Sequence, residues 1–209
     1  MSEVIAIIDY GMGNLRSVEK AFEKIGKDAV ITSDPFELDS AGKIVLPGVG
    51  AFKDAMVELD KRGLIDSIKK NVKSGKLFLG ICLGLQLLFS KSFEDGECEG
   101  LSLFPGSVIK FDNKNLKDKL KIPHMGWNRV KFTGSSIPVF KDMPDDSYMY
   151  FVHSYYVWPD EKNIIIGETD YGITFPSVVW KDNIYATQFH PEKSQKIGLD
   201  FLRNFSEIG

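Results

Sequence analysis

The chain has 209 residues, 43% hydrophobic and 26% charged, a globular composition that predicts a single domain with one substantial core. A formal net charge of −3, with lysines scattered among acidic residues, excludes a basic groove that would follow nucleic-acid phosphates. No apolar run approaches the ~20 residues that span a bilayer, and the opening apolar run lacks the basic start of a signal peptide, so a cytoplasmic protein with reduced Cys82 and Cys98 is expected.

In chain order, Val4 to Ile8 reads as a strand, followed by Leu15, Val18, Phe22 and Ile25 at helical spacing with Gly26 placed to end the helix. Ala29 to Ile31 and Ile44 to Leu46 are further apolar strands. Two helical patterns follow, one through Phe52, Met56 and Leu59, the other through Leu64, Ile65, Ile68 and Val72. Leu77 to Ile81 is another strand, and the pattern turns helical at once from Leu83 to Phe89. This alternation predicts an α/β fold, a mostly parallel central sheet flanked by helices. Beyond about residue 100 the runs are aromatic and β-branched: Leu103 to Phe111, Asn128 to Phe132, Tyr148 to Val157, Ile164 to Thr169, Val178 to Trp180 and Ile184 to Phe189. They predict an additional β-rich portion in the C-terminal half, with an exposed loop from Lys114 to Lys121 and a last helix from Ile197 to Phe205.

Gly80-Ile81-Cys82-Leu83-Gly84 stands where a predicted strand passes straight into a predicted helix. A nucleophile at such an elbow occupies a strained turn. Glycine two residues to either side removes the side chains that would collide, and the helix N-terminus favours the thiolate. The same pentapeptide also suits a small buried cysteine that helps a helix pack on a strand. A base decides between them. Of His124, His153 and His190, only His190 has an acidic residue close behind it; Glu192 is two positions on, and extended chain puts both side chains on one face. His153, inside an aromatic run, reads as a core or pocket histidine. No histidine pair has metal-ligand spacing and Cys98 has no companion, so neither metal nor other cofactor is expected.

The Gly-x-Cys-x-Gly elbow and the late His-x-Glu resemble the signatures of the class I (triad) glutamine amidotransferases, and the resemblance runs through the whole chain in order. It implies that Cys82 attacks the side-chain amide of L-glutamine, His190 shuttles protons and Glu192 orients His190. Ammonia leaves, and water then hydrolyses the thioester to glutamate. Pro47-Gly48-Val49-Gly50, otherwise an ordinary glycine turn, matches the family's oxyanion strand. Val49 and Gly50, with the N–H of Leu83, would form the oxyanion hole. In the family this Pro-Gly-Val-Gly variant is associated with an amide that must rotate before the hole is complete. The resemblance also makes Gln86, Glu94, His153, Ser154 and Tyr155 substrate-binding residues, with Glu94 on the α-ammonium group.

Three stretches resemble one branch of the family: Asp9 to Leu15, Pro47 to Phe52, and Pro123 to Asn128. That branch serves histidine biosynthesis by passing ammonia to a (βα)₈-barrel cyclase in a heterodimer, and the likeness puts Asn14, Met125, Trp127, Tyr150 and Lys193 at or near the docking face. Read by itself, Gly11-Met12-Gly13 lacks the third glycine and the acidic residue of a dinucleotide site. Two alternatives stay open: a paralogous glutaminase feeding another synthase, such as one for surface amino sugars, and a cysteine hydrolase of the same fold.

Overall fold

The computed structural model describes residues 4–112, 120–133 and 136–209; the loop expected from Lys114 to Lys121 falls mostly outside them. The first strands and helices alternate as β1 (Ile5–Ile8), α1 (Leu15–Lys24), β2 (Ala29–Thr32), α2 (Pro35–Ser40), β3 (Lys43–Gly48), α3 (Phe52–Lys61), α4 (Leu64–Lys73), β4 (Leu77–Cys82) and α5 (Leu83–Leu87). Then come β5 (Phe89–Ser92), β6 (Cys98–Glu99), β7 (Phe104–Lys110), β8 (His124–Phe132), β9 (Asp146–His153), β10 (Tyr155–Pro159), β11 (Ile165–Asp170), β12 (Thr174–Lys181), β13 (Ile184–Thr187) and α6 (Gln195–Glu207).

A nine-stranded sheet runs in the order β2-β1-β3-β4-β13-β12-β11-β8-β9. It is parallel from β2 to β13 and antiparallel from β13 to β9. The β-rich half of the sequence thus extends the main sheet, and it also supplies β7 and β10 of a smaller four-stranded one ordered β10-β7-β5-β6.

Strand period explains the two cores. Ile5, Ile7, Val45 and Leu79 point to one face, where Val18 and Phe22 of α1 and Phe201 and Phe205 of α6 meet them. Their neighbours Ala6, Ile8, Ile44 and Phe78 point to the other, against Leu38, Phe52, Leu59, Ile68 and Leu85 of α2 to α5 and Phe104 and Val157 of the small sheet. Both faces being covered accounts for the near-continuous apolar strands. Each fully buried phenylalanine contributes roughly 1.5–3 kcal/mol.

The structure departs from the sequence expectation in three places. Helix α2 is opened by Asp34, whose carboxylate accepts from Phe36 N at 2.9 Å, with Pro35 in the first turn. The helix expected from Leu83 to Phe89 stops at Leu87. The carbonyls of Leu87, Leu88 and Phe89 accept instead from Leu101, Leu103 and Ser102 at 2.8, 2.8 and 3.3 Å. The expected run from Tyr148 to Val157 breaks at Ser154, and its halves enter different sheets as β9 and β10. Among the described residues, no helix is long and apolar enough to cross a membrane.

Candidate active site

Three adjacent parallel strands, β3, β4 and β13, end side by side, with Gly48 opposite Cys82 and Thr187 opposite Ile81. Their carboxyl ends deliver Gly48-Val49-Gly50, Cys82 and the Gln188-Phe189-His190 segment to one place, where ligands bind in sheets of this kind.

Cys82 has φ +56°, a left-handed conformation rare outside glycine, and is 5% exposed. The flanking glycines have a steric reason. A Cβ on Gly84 would run into the Leu46 carbonyl oxygen, and one on Gly80 would lie 2.8 Å from Gly84 O. Helix α5 therefore sits directly on β3 and β4 as it leaves Cys82. The Cys82 thiol is turned toward Val152 O at 3.9 Å and accepts from Gln188 Nε2 at 3.7 Å.

His190 is 3% exposed, and its Nδ1 pairs with Glu192 Oε1 at 2.8 Å across Pro191. The short 3₁₀ turn Pro191–Lys193 holds the pair; Ser194 Oγ donates to His190 O at 2.6 Å and accepts from Tyr150 N at 3.0 Å. His190 Nε2 and Glu192 Oε2 are buried with no protein hydrogen bond. Burial opposes the charged ring, but the Cys82 sulfur and then Glu192 outweigh it and carry the His190 pKa up to about 10. Such an environment favours imidazolium beside sulfur, the charge distribution that a cysteine nucleophile uses.

Val49 and Gly50 follow β3 on the rim, Gly50 at φ +103°, while Leu83 is buried at the head of α5. Gly48 is pinned: a Cβ there would strike Tyr10 Oη and lie 3.0 Å from Leu83 Cβ. Glu94 reaches back from beyond β5 so that Oε2 accepts Phe52 N at 2.7 Å, closing the N-terminus of α3 just past the Val49-Gly50 turn. Gln86 is buried and donates to Tyr155 O at 3.0 Å and to Gln188 Oε1 at 3.1 Å. His153 is also buried; its Nδ1 donates to Tyr155 O at 2.8 Å and its Nε2 meets His124 Nδ1 at 2.9 Å. Burial, with His124 adding to it, lowers His153 to about 3, so it is a neutral pocket histidine turned to the Tyr155 carbonyl. Ser154 lies at the bend between β9 and β10, where its carbonyl accepts Phe111 N at 3.1 Å.

Met125, Trp127, Tyr150 and Lys193 share a second region. Trp127 is opposite Tyr150 in the β8–β9 ladder with ring centroids 6.0 Å apart, and Lys193 Nζ lies 6.0 Å above the Tyr150 ring. Met125 and Trp127 are 65% and 45% exposed, unusual for such large apolar residues. Tyr150 O accepts His190 N at 2.9 Å, so this face abuts the proposed base through one backbone bond. Asn14 is exposed at the N-terminus of α1, which packs on the Pro191–Lys193 turn.

Two residues escaped the sequence reading. Gln188 resembles any strand-end residue, and Tyr10 only a turn residue, yet both are fully buried beside the elbow. Burial, then the Cys82 charge, pushes the Tyr10 phenol above its ordinary value. Among the described residues, no three histidine, cysteine or acidic side chains cluster to hold a metal.

The glutamine amidotransferase class-I family model matches residues 6–207, and the chain belongs to that family: it is a glutamine amidotransferase. It is 51% identical over 207 residues to the imidazole glycerol phosphate synthase subunit HisH of Syntrophotalea carbinolica, covering 98% of this chain and all of that one. It is 51% identical to the protein of that name from Methanothermobacter thermautotrophicus, with 98% of each covered. Among solved structures, PurLQS from Thermotoga maritima superposes with a TM-score of 0.76 at 16% identity, covering 98% of both chains. The glutaminase domain of Trypanosoma brucei CTPS with bound acivicin gives 0.68 at 18%, covering 99% and 94%.

Proposed function

We propose that this chain is the glutaminase subunit of an imidazole glycerol phosphate synthase, releasing ammonia from L-glutamine for a (βα)₈-barrel cyclase in histidine biosynthesis. The observation that carries the chemistry is the His190–Glu192 pair at 2.8 Å, delivered by β13 next to the strand that ends in Cys82. The near 50% identity to HisH proteins along the full length supports the branch.

In this reading the Cys82 thiol gives its proton to His190 Nε2, and the sulfur bonds to the carboxamide carbon of glutamine. The resulting oxyanion takes N–H donors from Leu83 and the Val49–Gly50 segment. Imidazolium then protonates the amide nitrogen, the C–N bond breaks and ammonia departs, leaving a thioester. Water loses a proton to His190 as it attacks the thioester, the C–S bond breaks, and glutamate and the free thiol remain. Glu192 holds the imidazole in one tautomer and steadies its charge. The free Oε1 of Gln86, the second oxygen of Glu94 and the backbone of His153, Ser154 and Tyr155 hold the amino-acid end.

The partner docks as the second chain of a cytoplasmic heterodimer on the face formed by Asn14, Met125, Trp127, Tyr150 and Lys193, and the Val49–Gly50 amide stays misoriented until it does. The chain mixed with the barrel cyclase from its own genome is expected to form a complex in which glutamine supports cyclisation of the ribonucleotide substrate. Cys82→Ala is expected to keep the complex and lose glutamine use while added ammonia still works. Absence of a complex, or glutamine use surviving in Cys82→Ala, would overturn the reading.

A further inference from the structure

The Cys82 sulfur touches a residue that none of these steps employs. Gln188 is fully buried, two positions before His190, and donates from Nε2 to Cys82 Sγ at 3.7 Å. Its direction is set by its neighbours. A backbone carbonyl only accepts, so Gln86 must present its nitrogen to Tyr155 O, at 3.0 Å. The second hydrogen of that nitrogen goes to Gln188 Oε1 at 3.1 Å. With its oxygen so used, Gln188 has only its nitrogen to turn to the sulfur.

Behind Tyr155 the same logic continues. His153 Nδ1 donates to Tyr155 O at 2.8 Å, so Nε2 accepts from His124 Nδ1 at 2.9 Å, and His124 Nε2 accepts from Asn128 Nδ2 at 3.2 Å. Each ring has one donor and one acceptor in use. Burial agrees, lowering His124 to about 4 and His153 to about 3, so both are neutral near pH 7. Phe111, Phe151, Phe175 and Tyr171 enclose the His124 ring and keep water from competing.

We propose that Gln188 is a positioning residue for the nucleophile, its amide aimed by Gln86 and the Tyr155 carbonyl so that an N–H meets the sulfur and favours its thiolate. A thiolate cannot donate to Val152 O and needs donors of its own; the Gln188 N–H is one already in place, and its bond strengthens once the sulfur is charged. The proposal rests on the reading of Cys82 as nucleophile.

The test is alkylation of Cys82 by iodoacetamide across pH, read by mass spectrometry on the Cys82 peptide so that Cys98 does not count. Gln188→Met is expected to have its profile moved up by about one pH unit, reacting about 10-fold more slowly on the limb below the midpoint. Gln188→Glu keeps an oxygen for Gln86 but sets another against the sulfur, and is expected to move further the same way. A role in packing alone predicts the reverse order, since glutamate keeps the Gln86 bond and methionine loses it. That order, or profiles unchanged from the parent, overturns the proposal; if Gln188→Glu does not fold, the Gln188→Met profile decides. Labelling of the parent by a glutamine-mimicking diazo ketone separates the two failures. A label on any residue other than Cys82 removes the nucleophile and the proposal with it, whereas a label on Cys82 with unshifted profiles removes Gln188 alone.

Discussion

His190 Nδ1 lies 2.8 Å from Glu192 Oε1, with the two side chains 3% and 2% exposed, so a carboxylate and an imidazole are shut together away from water. Glu192→Gln keeps the shape and removes the charge that steadies imidazolium. In the assembled enzyme, glutamine-dependent turnover is expected to fall at least ~100-fold, with a far smaller change in KM. Turnover within a few-fold of the parent would show that Glu192 does not support His190.

The buried histidines give stability a pH dependence with a definite sign. His124 and His153 titrate at about 4 and about 3 in the folded chain, below the ordinary 6.5, so the unfolded chain binds more protons between those values. Their contribution is whole above pH 6.5 and is lost as pH falls toward 4 and 3, at up to ~1.4 kcal/mol per pH unit for each ring. His190 is the opposite case. Raised to about 10, it stabilises below pH 6.5, loses that contribution as pH climbs to 10, and drops out of the acid limb because it is charged in both states there. Urea unfolding across this range is expected to show a shallower acid slope in His124→Gln than in the parent; equal slopes would mean that His124 titrates normally.

At Gly84 an added Cβ meets the Leu46 carbonyl, whereas at Gly26, φ +76°, nothing lies within 4 Å. Gly84→Ala is therefore expected to cost about 3 kcal/mol or more by forcing α5 off β3, and Gly26→Ala about 1 kcal/mol from backbone conformation alone. Chemical denaturation of the two variants checks the difference; equal losses would mean that the elbow has slack.

Glu94 accepts Phe52 N at 2.7 Å with one oxygen, so it caps α3 whatever else it does. Glu94→Ala is expected to lose about 1 kcal/mol of stability. Glu94→Gln retains an acceptor for the cap and loses the charge. If the second oxygen meets the α-ammonium of glutamine, KM rises about 10-fold in both variants. A normal KM in Glu94→Gln would leave the cap as its whole role.

What is legible in the sequence is what local pattern encodes. Gly80 and Gly84 around Cys82 announce close approach by their spacing, and His190 with Glu192 needs only two residues of extended chain. Apolar periodicity likewise marked the five parallel strands of the main sheet, β1, β2, β3, β4 and β13. What stayed hidden depends on distant partners. Nothing in Leu83 to Phe89 says that residues 101–103 will take the carbonyls that would have continued α5. Nothing in Tyr148 to Val157 marks Ser154 as the passage between two sheets. Gln188 could not be singled out because its meaning comes from Gln86 and Tyr155, far away in sequence. The Asp34-Pro35 signal of α2, by contrast, is local.

The turn after β3 hangs between two fixed points, Gly48 wedged under Tyr10 and Leu83, and Phe52 tethered to Glu94. A segment fastened at both ends can turn like a crankshaft, one peptide plane swivelling while the chain on either side stays still. Any activation that works through this span leaves the radius of gyration and the domain outline unchanged. Small-angle scattering would miss it, while amide resonances of Val49 and Gly50 would report it directly.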